Sequence, residues 1–267
     1  MTTADTTQTF DDPSAMASSR RNLIMLTLIL STVLAALDSS FVPIAAADMI
    51  DKLSTSTSMV VWVALGYLIA ATGPMLFFSR MGETHGQIRL FQIGTILYAT
   101  CMSLCAFAPD ITTLVILRIF QGLGMAMFLP MTFGIAAQIY PANERGKALG
   151  ILQMANALGF VGGPVFAGFL LDAFDWTAIF WARIPFAAIA VLVAIFVFGK
   201  KSSLVPLKDK MHMDSWGAIF MTAGFFGVLF GLNRLPVEDN HLEMSVWLIL
   251  VAGIIAFWLF MRQERSS

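Results

Sequence analysis

Eight long apolar runs restrict the fold of this chain more than any other feature. A helix that crosses a membrane needs about 20 mostly apolar residues, and its backbone polar groups must be hydrogen-bonded within the segment itself. None of the runs alternates as a barrel strand does. The sequence therefore predicts an all-α, polytopic membrane helix bundle of about eight transmembrane helices. They lie near residues 22–45, 59–78, 90–108, 111–139, 146–171, 179–199, 215–232 and 244–261.

The composition agrees with this fold and excludes several functions. The chain is 58% hydrophobic and 12% charged, whereas soluble domains are nearer one-half apolar and one-quarter charged. Its formal net charge of −1 argues against a nucleic-acid partner. The sequence contains no phosphate-binding loop, nucleophile elbow or zinc motif. We therefore expect a protein of the lipid bilayer that is not an enzyme and binds no cofactor or metal.

The lysines and arginines predict the orientation in the membrane. If the N-terminus is cytoplasmic, twelve of them fall on the cytoplasmic side, one lies within a span, and three fall outside. Cytoplasmic loops of membrane proteins carry the excess of these residues. We expect a multi-pass protein of the plasma membrane with both termini in the cytoplasm. The three basic residues predicted outside are Lys52, Arg183 and Arg234.

The uneven spacing of the runs predicts four regions. Residues 1–21 are acidic and rich in Ser and Thr, as in a disordered cytoplasmic tail. Residues 22–199 hold six closely spaced spans, which predict a six-helix bundle. Residues 200–214 form a basic cytoplasmic linker, and residues 215–267 hold two additional transmembrane helices with a short cytoplasmic end.

Two ionisable residues lie well inside apolar runs, Asp38 in the first and Arg118 in the fourth. A guanidinium group in hydrocarbon costs roughly 2.5 kcal/mol or more. The helical rise places Asp38 about 24 Å from the cytoplasmic end of its helix and Arg118 about 10 Å from the outer end of its own. In a core about 30 Å thick these depths are similar, so the two side chains are expected to pair. Asp38 is then a proton carrier controlled by Arg118, one member of a static structural pair, or a residue that lies in interfacial water.

The fifth run carries an unusual number of glycines together with one proline, Pro164. Small residues let helices approach closely, and a Gly-Pro step loosens the backbone hydrogen-bond ladder. The pattern predicts a close helix contact that can act as a hinge. The glycines are Gly146, Gly150, Gly159, Gly162, Gly163 and Gly168.

Several segments resemble motifs of the major facilitator superfamily. Residues 117–130, LRIFQGLGMAMFLP, resemble its fourth-helix motif, with Arg118, Gln121, Gly122 and Gly124 in place. Residues 159–168, GFVGGPVFAG, resemble the antiporter motif G-x-x-x-G-P-x-x-G-G. Ala167 replaces one glycine of that motif, and the matching positions are Gly159, Gly163, Pro164 and Gly168.

Other segments resemble one branch of that superfamily, the drug:proton antiporters with fourteen spans. Residues 37–42, LDSSFV, look like the first-helix motif of these antiporters, and the similarity extends over about residues 22–185. Arg183 stands in the turn before the sixth helix, where an asparagine is usual. The supporting positions are Trp62, Tyr67 and Pro74 in the second helix and Trp176, Phe180 and Pro185 in the turn between the fifth and sixth helices.

The loop between the second and third helices departs from the motif of the superfamily, which is usually G-x-L-x-D-x-x-G-R-K. Residues 79–89 read SRMGETHGQIR. Glu83 stands for the aspartate, Gly86 is kept, and Arg89 comes one place late. The resemblance implies that these three residues form a cytoplasmic gating loop.

The resemblance implies a proton-coupled exporter of amphipathic organic compounds. Two six-helix halves would move about a midplane site, and each half would consist of two inverted three-helix repeats. Asp38 and Arg118 would occupy equivalent, cavity-facing positions, and the two additional helices would connect the halves. The second half would come from a second copy or from another chain. The alternative is a truncated, non-transporting remnant or a membrane interaction subunit.

Overall fold

The computed structural model describes residues 18–198 and, beyond them, residues 223–224, 227–228, 248, 251–256, 258 and 262. The described residues contain helices and no strand, which confirms the all-α fold. The helices are α1 (Ser18–Lys52), α2 (Thr57–Thr72), α3 (Met75–His85), α4 (Gln87–Cys105), α5 (Ile111–Ile139), α6 (Arg145–Ala173), α7 (Ala178–Trp181) and α8 (Ile184–Phe198).

Six segments of the described chain are long and apolar enough to cross a membrane. Helices α2 and α3 together form one of them (Thr57–His85), and α7 and α8 form another (Ala178–Phe198). These six correspond to the six runs predicted within residues 22–199. The predicted seventh and eighth spans, near 215–232 and 244–261, fall outside the described residues except at scattered positions, and the linker 200–214 falls outside them entirely. Helix α1 begins at Ser18, so residues 18–21 of the predicted tail are helical, and residues 1–17 fall outside the described residues.

Three junctions interrupt the helices at residues with unusual backbone chemistry. Pro74, which lacks a backbone N–H, separates α2 from α3, and Pro185 follows the break between α7 and α8. Gly86 separates α3 from α4 with a backbone φ of 105°, a conformation that residues other than glycine rarely adopt. Gly86 thus has a structural reason to be glycine, independent of any gating role.

Helix α5 lies between α2 and α4, while α1 packs against α6 and α8 contacts both α1 and α4. The closeness of α4 and α5 depends on glycine. A Cβ atom at Gly124 would lie 2.6 Å from the backbone nitrogen of Tyr98. The Tyr98 hydroxyl in turn donates to the carbonyl of Leu34 at 3.1 Å, and Gln92 Nε2 donates to the carbonyl of Ala194 at 3.0 Å. These contacts hold α4 against α1, α5 and α8.

The start of α5 is held by an exposed aspartate. Asp110 is the N-cap, and its Oδ1 accepts a hydrogen bond from the backbone N–H of Thr113 at 2.9 Å. Its Oδ2 accepts from the Thr113 hydroxyl at 2.9 Å. These bonds, the backbone one first, lower the pKa of Asp110 below its ordinary value of 3.8. The cap sets the position at which α5, and with it Arg118, enters the bundle.

Candidate functional site

The predicted pair of Asp38 and Arg118 is present at the centre of the bundle. Asp38 lies on α1 and Arg118 on α5, with side chains that are 0% and 1% exposed. Arg118 Nη1 donates to Asp38 Oδ1 at 2.7 Å and to Oδ2 at 2.8 Å. The predicted contact between the two side chains is therefore present in the structure. The role of the pair in proton coupling stays a prediction.

Gln121 completes the contact between α1 and α5. It follows Arg118 by one helical turn, so both side chains lie on the same face of α5. Gln121 Nε2 donates to Asp38 Oδ2 at 2.7 Å, and its Oε1 accepts from Arg118 Nη1 at 3.0 Å. Both carboxylate oxygens of Asp38 therefore accept hydrogen bonds from α5.

Arg118 also contacts α2. Its Nε donates to the carbonyl of Val63 at 3.3 Å. Its Cζ lies 4.3 Å from the ring centroid of Tyr67, a cation–π distance. The family resemblance assigned Tyr67 to the second-helix motif, and the structure places it against the guanidinium group. Helix α2 thus provides a carbonyl and an aromatic face to one side of Arg118.

Arg183 is the member of the site that the sequence reasoning missed. We predicted it on the outer side, but it is fully buried, and its Nη1 donates to Asp38 Oδ1. Its Nε donates to the carbonyl of Ile179 at 2.8 Å. Arg183 lies in the break between α7 and α8, inside the sixth span, which begins at Ala178. The signal that could have found it was the replacement of the usual asparagine by a charged residue.

We call Asp38, Arg118, Gln121 and Arg183 the Asp38 cluster. Among the described residues, the charged side chains that are buried are those of Asp38, Arg118 and Arg183. One carboxylate therefore faces two guanidinium groups, which stay protonated at any physiological pH. With Asp38 ionised, the cluster carries a surplus of one positive charge.

The Asp38 cluster lies inside the bundle and not on its surface. The three charged side chains are at most 1% exposed although the described chain holds only six spans. A second helical unit could not bury them further. The expectation that Asp38 and Arg118 face a cavity between two halves is therefore wrong for this conformation, because residues of α2, α5 and the break between α7 and α8 contact them. Access for water requires a rearrangement of these helices.

The motif glycines position the helices around the Asp38 cluster. A Cβ atom at Gly122, next to Gln121, would overlap the carbonyl oxygen of Tyr67 on α2. On α6, a Cβ atom at Gly159 would lie 2.8 Å from the Cβ of Ala36, and one at Gly163 would overlap the Ser40 hydroxyl. Ala36 and Ser40 flank Asp38 on α1. These glycines thus let α2 approach α5 and let α6 approach α1 at the level of the site.

Two motif positions of α6 have a different environment. At Gly168 no atom of the described residues lies within 4 Å of an added Cβ, and Pro164 is exposed although it lies inside the helix. The packing of the described chain therefore gives no reason for glycine at position 168. The hinge role predicted for this segment stays a prediction.

The predicted gating residues lie on α3, α4 and the junction between them. Glu83 is half-buried on α3, and Arg89 is exposed on α4. Their role in gating stays a prediction. No group of three or more His, Cys, Asp or Glu side chains in the described part of the chain could hold a metal ion.

Comparison with known proteins identifies the family. The sequence profile of the Major Facilitator Superfamily matches residues 28–262. The chain belongs to the Major Facilitator Superfamily. It is therefore a multi-pass membrane protein with the fold of a transporter and is not an enzyme.

The relatives that this chain matches are about twice as long as the chain itself. The riboflavin transporter RibZ of Clostridioides difficile (strain 630) is 32% identical over 231 residues, which cover 86% of this chain and 50% of the relative. The multidrug resistance protein B homolog of Mycobacterium tuberculosis (strain CDC 1551 / Oshkosh) is 26% identical over 226 residues, 85% of this chain and 41% of the relative. This chain thus spans about half the length of the curated relatives it matches.

A solved structure supports the fold. The crystal structure of the peptide transporter POT in complex with sulfate matches 87% of this chain and 50% of its own, with a TM-score of 0.64 at 16% sequence identity. At that identity the likeness concerns the arrangement of helices alone.

Proposed function

We propose that this superfamily member exports amphipathic organic compounds in exchange for protons, with Asp38 as the proton carrier and Arg118 as its partner. Two relatives, a riboflavin transporter and a multidrug resistance protein B homolog, support small organic compounds as the substrate class. The observation that carries the proposal is the buried Asp38 carboxylate, which bonds α1 both to α5 and to the break before α8.

The charges of the Asp38 cluster suggest how a proton moves the helices. Ionised Asp38 holds two guanidinium groups close to each other. A proton on Asp38 removes their shared counter-ion, so Arg118 and Arg183 repel each other inside the bundle. Separation of α5 from the break before α8 relieves this repulsion, and the loosened contacts with α1 admit water. In the proposed cycle, an external proton opens the cluster, the substrate leaves, and the return to the inward state releases the proton.

Other titratable groups close to the cluster favour Asp38 as the proton site. Tyr67 of α2 packs its ring on Arg118, and Cys105 of α4 donates through its Sγ to Gln121 Oε1 at 3.9 Å. From α4, Tyr98 donates to the α1 carbonyl of Leu34. Tyrosine and cysteine ordinarily lose their protons only near about pH 10 and 8.5. Among these groups, the carboxylate is the one whose protonation changes in the acidic range.

The proposed pathway needs a second helical unit in addition to the six described spans, because two-sided access requires two moving bodies. The relatives' greater length supports this part of the proposal. We place the assembly in the plasma membrane with both termini in the cytoplasm, as the distribution of lysines and arginines favours.

The test is proton movement in liposomes that contain the purified 267-residue chain and a pH-sensitive dye. Cationic, neutral and anionic amphipathic aromatic compounds are added in turn. Asp38→Asn alone leaves two buried guanidinium groups without a counter-ion. The double variant Asp38→Asn/Arg183→Gln has no titratable carboxylate but keeps the surplus of one positive charge, so it is the better variant. Asp172→Asn, at an exposed position near the end of α6, is the matched control.

We expect substrate-dependent proton movement in the wild type and in Asp172→Asn and none in the folded double variant. Undiminished movement in the double variant would remove Asp38 from the mechanism. A folded wild-type chain that moves no protons with any compound would contradict transport by this chain and favour the non-transporting alternative.

A further inference from the structure

Proton coupling does not explain why the Asp38 cluster buries a second arginine, Arg183. Burying ions is costly unless their charges are paired. Arg118 is already matched by Asp38, with the carboxylate of Asp38 also bonded to Gln121. A second guanidinium group, that of Arg183, shares the same carboxylate. A proton carrier with a single counter-ion needs only Arg118, so Arg183 calls for a separate reason.

Arg183 has hydrogen-bonding capacity that the described chain does not use. Its Nε donates to Ile179, its Nη1 donates to Asp38, and its buried Nη2 has no hydrogen-bond acceptor among the described residues. The guanidinium group packs against two aromatic rings, with Cζ 4.9 Å from the centroid of Phe41 and 5.2 Å from that of Phe180. A planar group with free donors between aromatic faces suits an oxyanion attached to an apolar body.

The position of Arg183 in the backbone lets it change partners. It lies in the two-residue break between α7 and α8, and Pro185 behind it cannot donate a helical hydrogen bond. A change in the angle between α7 and α8 would move Arg183 relative to Asp38 on α1. Arg118, by contrast, lies two turns inside the continuous helix α5 and keeps its place beside Gln121.

We propose that Arg183 binds the anionic group of the transported compound, so that the site selects organic monoanions with an aromatic or apolar body. This inference rests on the proposed function and adds the substrate class. In the described conformation Arg183 shares Asp38 with Arg118. In the inward state, where Asp38 has released its proton, Arg183 exchanges the carboxylate of Asp38 for a carboxylate or sulfonate of the substrate, and Asp38 stays paired with Arg118. A bound monoanion then balances the surplus charge, which neither a cation nor a neutral compound can do.

The experiment measures equilibrium binding to the purified 267-residue chain in lipid nanodiscs by titration calorimetry. Three probes share one ring system and differ in charge: 1-naphthalenesulfonate, 1-naphthalenemethanol and 1-naphthylmethylammonium. We expect the sulfonate to bind at least about tenfold more tightly than the alcohol, a difference of about 1.4 kcal/mol. The ammonium compound should bind more weakly than both.

Two variants test whether Arg183 causes the preference. Arg183→Gln should abolish the advantage of the sulfonate and leave the affinity for the alcohol unchanged, because the aromatic surroundings remain. It should also fold, since Asp38 keeps Arg118 as its partner. Arg183→Lys should keep part of the preference. Lys147→Gln, which removes an exposed positive charge from the start of α6, is the control and should bind like the wild type.

Each outcome decides between the proposals. A sulfonate that binds no better than the alcohol, or a preference that survives Arg183→Gln, overturns the inference and leaves proton-coupled export untouched. A preference lost in Arg183→Gln supports the inference even if the liposome experiment detects no proton movement. In that case the cluster is an anion site of a protein that does not exchange protons.

Discussion

Helices α5 and α6 are matched in length and differ in what surrounds them. Each has 29 residues with one internal proline, Pro130 in α5 and Pro164 in α6. Helix α5 has helices on two sides, α2 and α4, whereas α6 packs mainly against α1. Helix α5 contacts α1 through the buried ion pair, and α6 contacts α1 through the glycines that face it. One contact depends on charge and the other on shape.

The glycines of the two helices show the difference most clearly. In α5, Gly122 and Gly124 both lie against the backbone of a neighbouring helix. In α6, Gly159 lies against the backbone of Val33 and Gly163 lies against the side chain of Ser40. At four other glycines of α6 an added Cβ would meet no atom within 4 Å among the described residues, and Val161 and Val165 are 71% and 76% exposed. Identical residues thus have a packing reason in one place and none in another. The four open positions are Gly146, Gly150, Gly162 and Gly168.

The largest effect on stability is expected for the buried ion pair between Asp38 of α1 and Arg118 of α5. Asp38→Asn leaves two buried guanidinium groups without a counter-ion, and loss of one partner of a buried pair costs about 3–5 kcal/mol. We expect a large drop in the melting temperature in detergent. The double variant Asp38→Asn/Arg183→Gln should regain much of the lost melting temperature, because it buries only one guanidinium group. A single variant that melts with the wild type would show that the carboxylate does not balance these charges.

An intermediate effect is expected where α5 approaches α2. In Gly122→Ala the new methyl group overlaps the carbonyl oxygen of Tyr67, and overpacking of this kind costs about 1–3 kcal/mol. The matched variant Gly162→Ala meets no described atom on α6, and alanine favours a helix over glycine by about 1 kcal/mol. Its melting temperature should therefore be unchanged or higher. Equal decreases in the melting temperature of both variants would refute the packing difference between the two helices.

The smallest effect is expected at the helix starts. The N-cap Asp110 accepts hydrogen bonds from the first turn of α5, whereas the N-cap Glu144 of α6 has no side-chain cap hydrogen bond. Because the pKa of Asp110 is lowered in the folded protein, its stabilisation is present above its ordinary pKa of 3.8 and is lost as the pH falls through the folded value.

Asp110→Asn keeps a capping side chain but removes this titration. On acidification from about pH 6 to about pH 3, the melting temperature of the wild type should fall slightly more than that of the variant. Glu144→Gln should follow the wild type in the same series, since the Glu144 side chain does not cap α6. Parallel curves for all three proteins would contradict the role of Asp110.

The correct predictions concern local properties of the chain. The length of the apolar runs located the six described spans, and helical rise placed Asp38 and Arg118 at one depth, where they are in contact. Neither estimate needed knowledge of which helices are neighbours. The wrong predictions concern residues whose environment depends on which helices pack against them. Arg183 was predicted outside from the alternation of the spans, but it lies buried in the break between α7 and α8.

The sequence by itself determined the class of fold, the six described spans, and the pairing of the one acidic with one basic residue in mid-membrane, because apolar length and helical rise are properties of single segments. Only the tertiary structure decided that a second arginine shares Asp38 and that the Asp38 cluster is closed on all sides. It also separated the packed glycines from the open ones. These outcomes depend on helix rotation and on the angle at the α7–α8 break, which are set by the packing of several segments together.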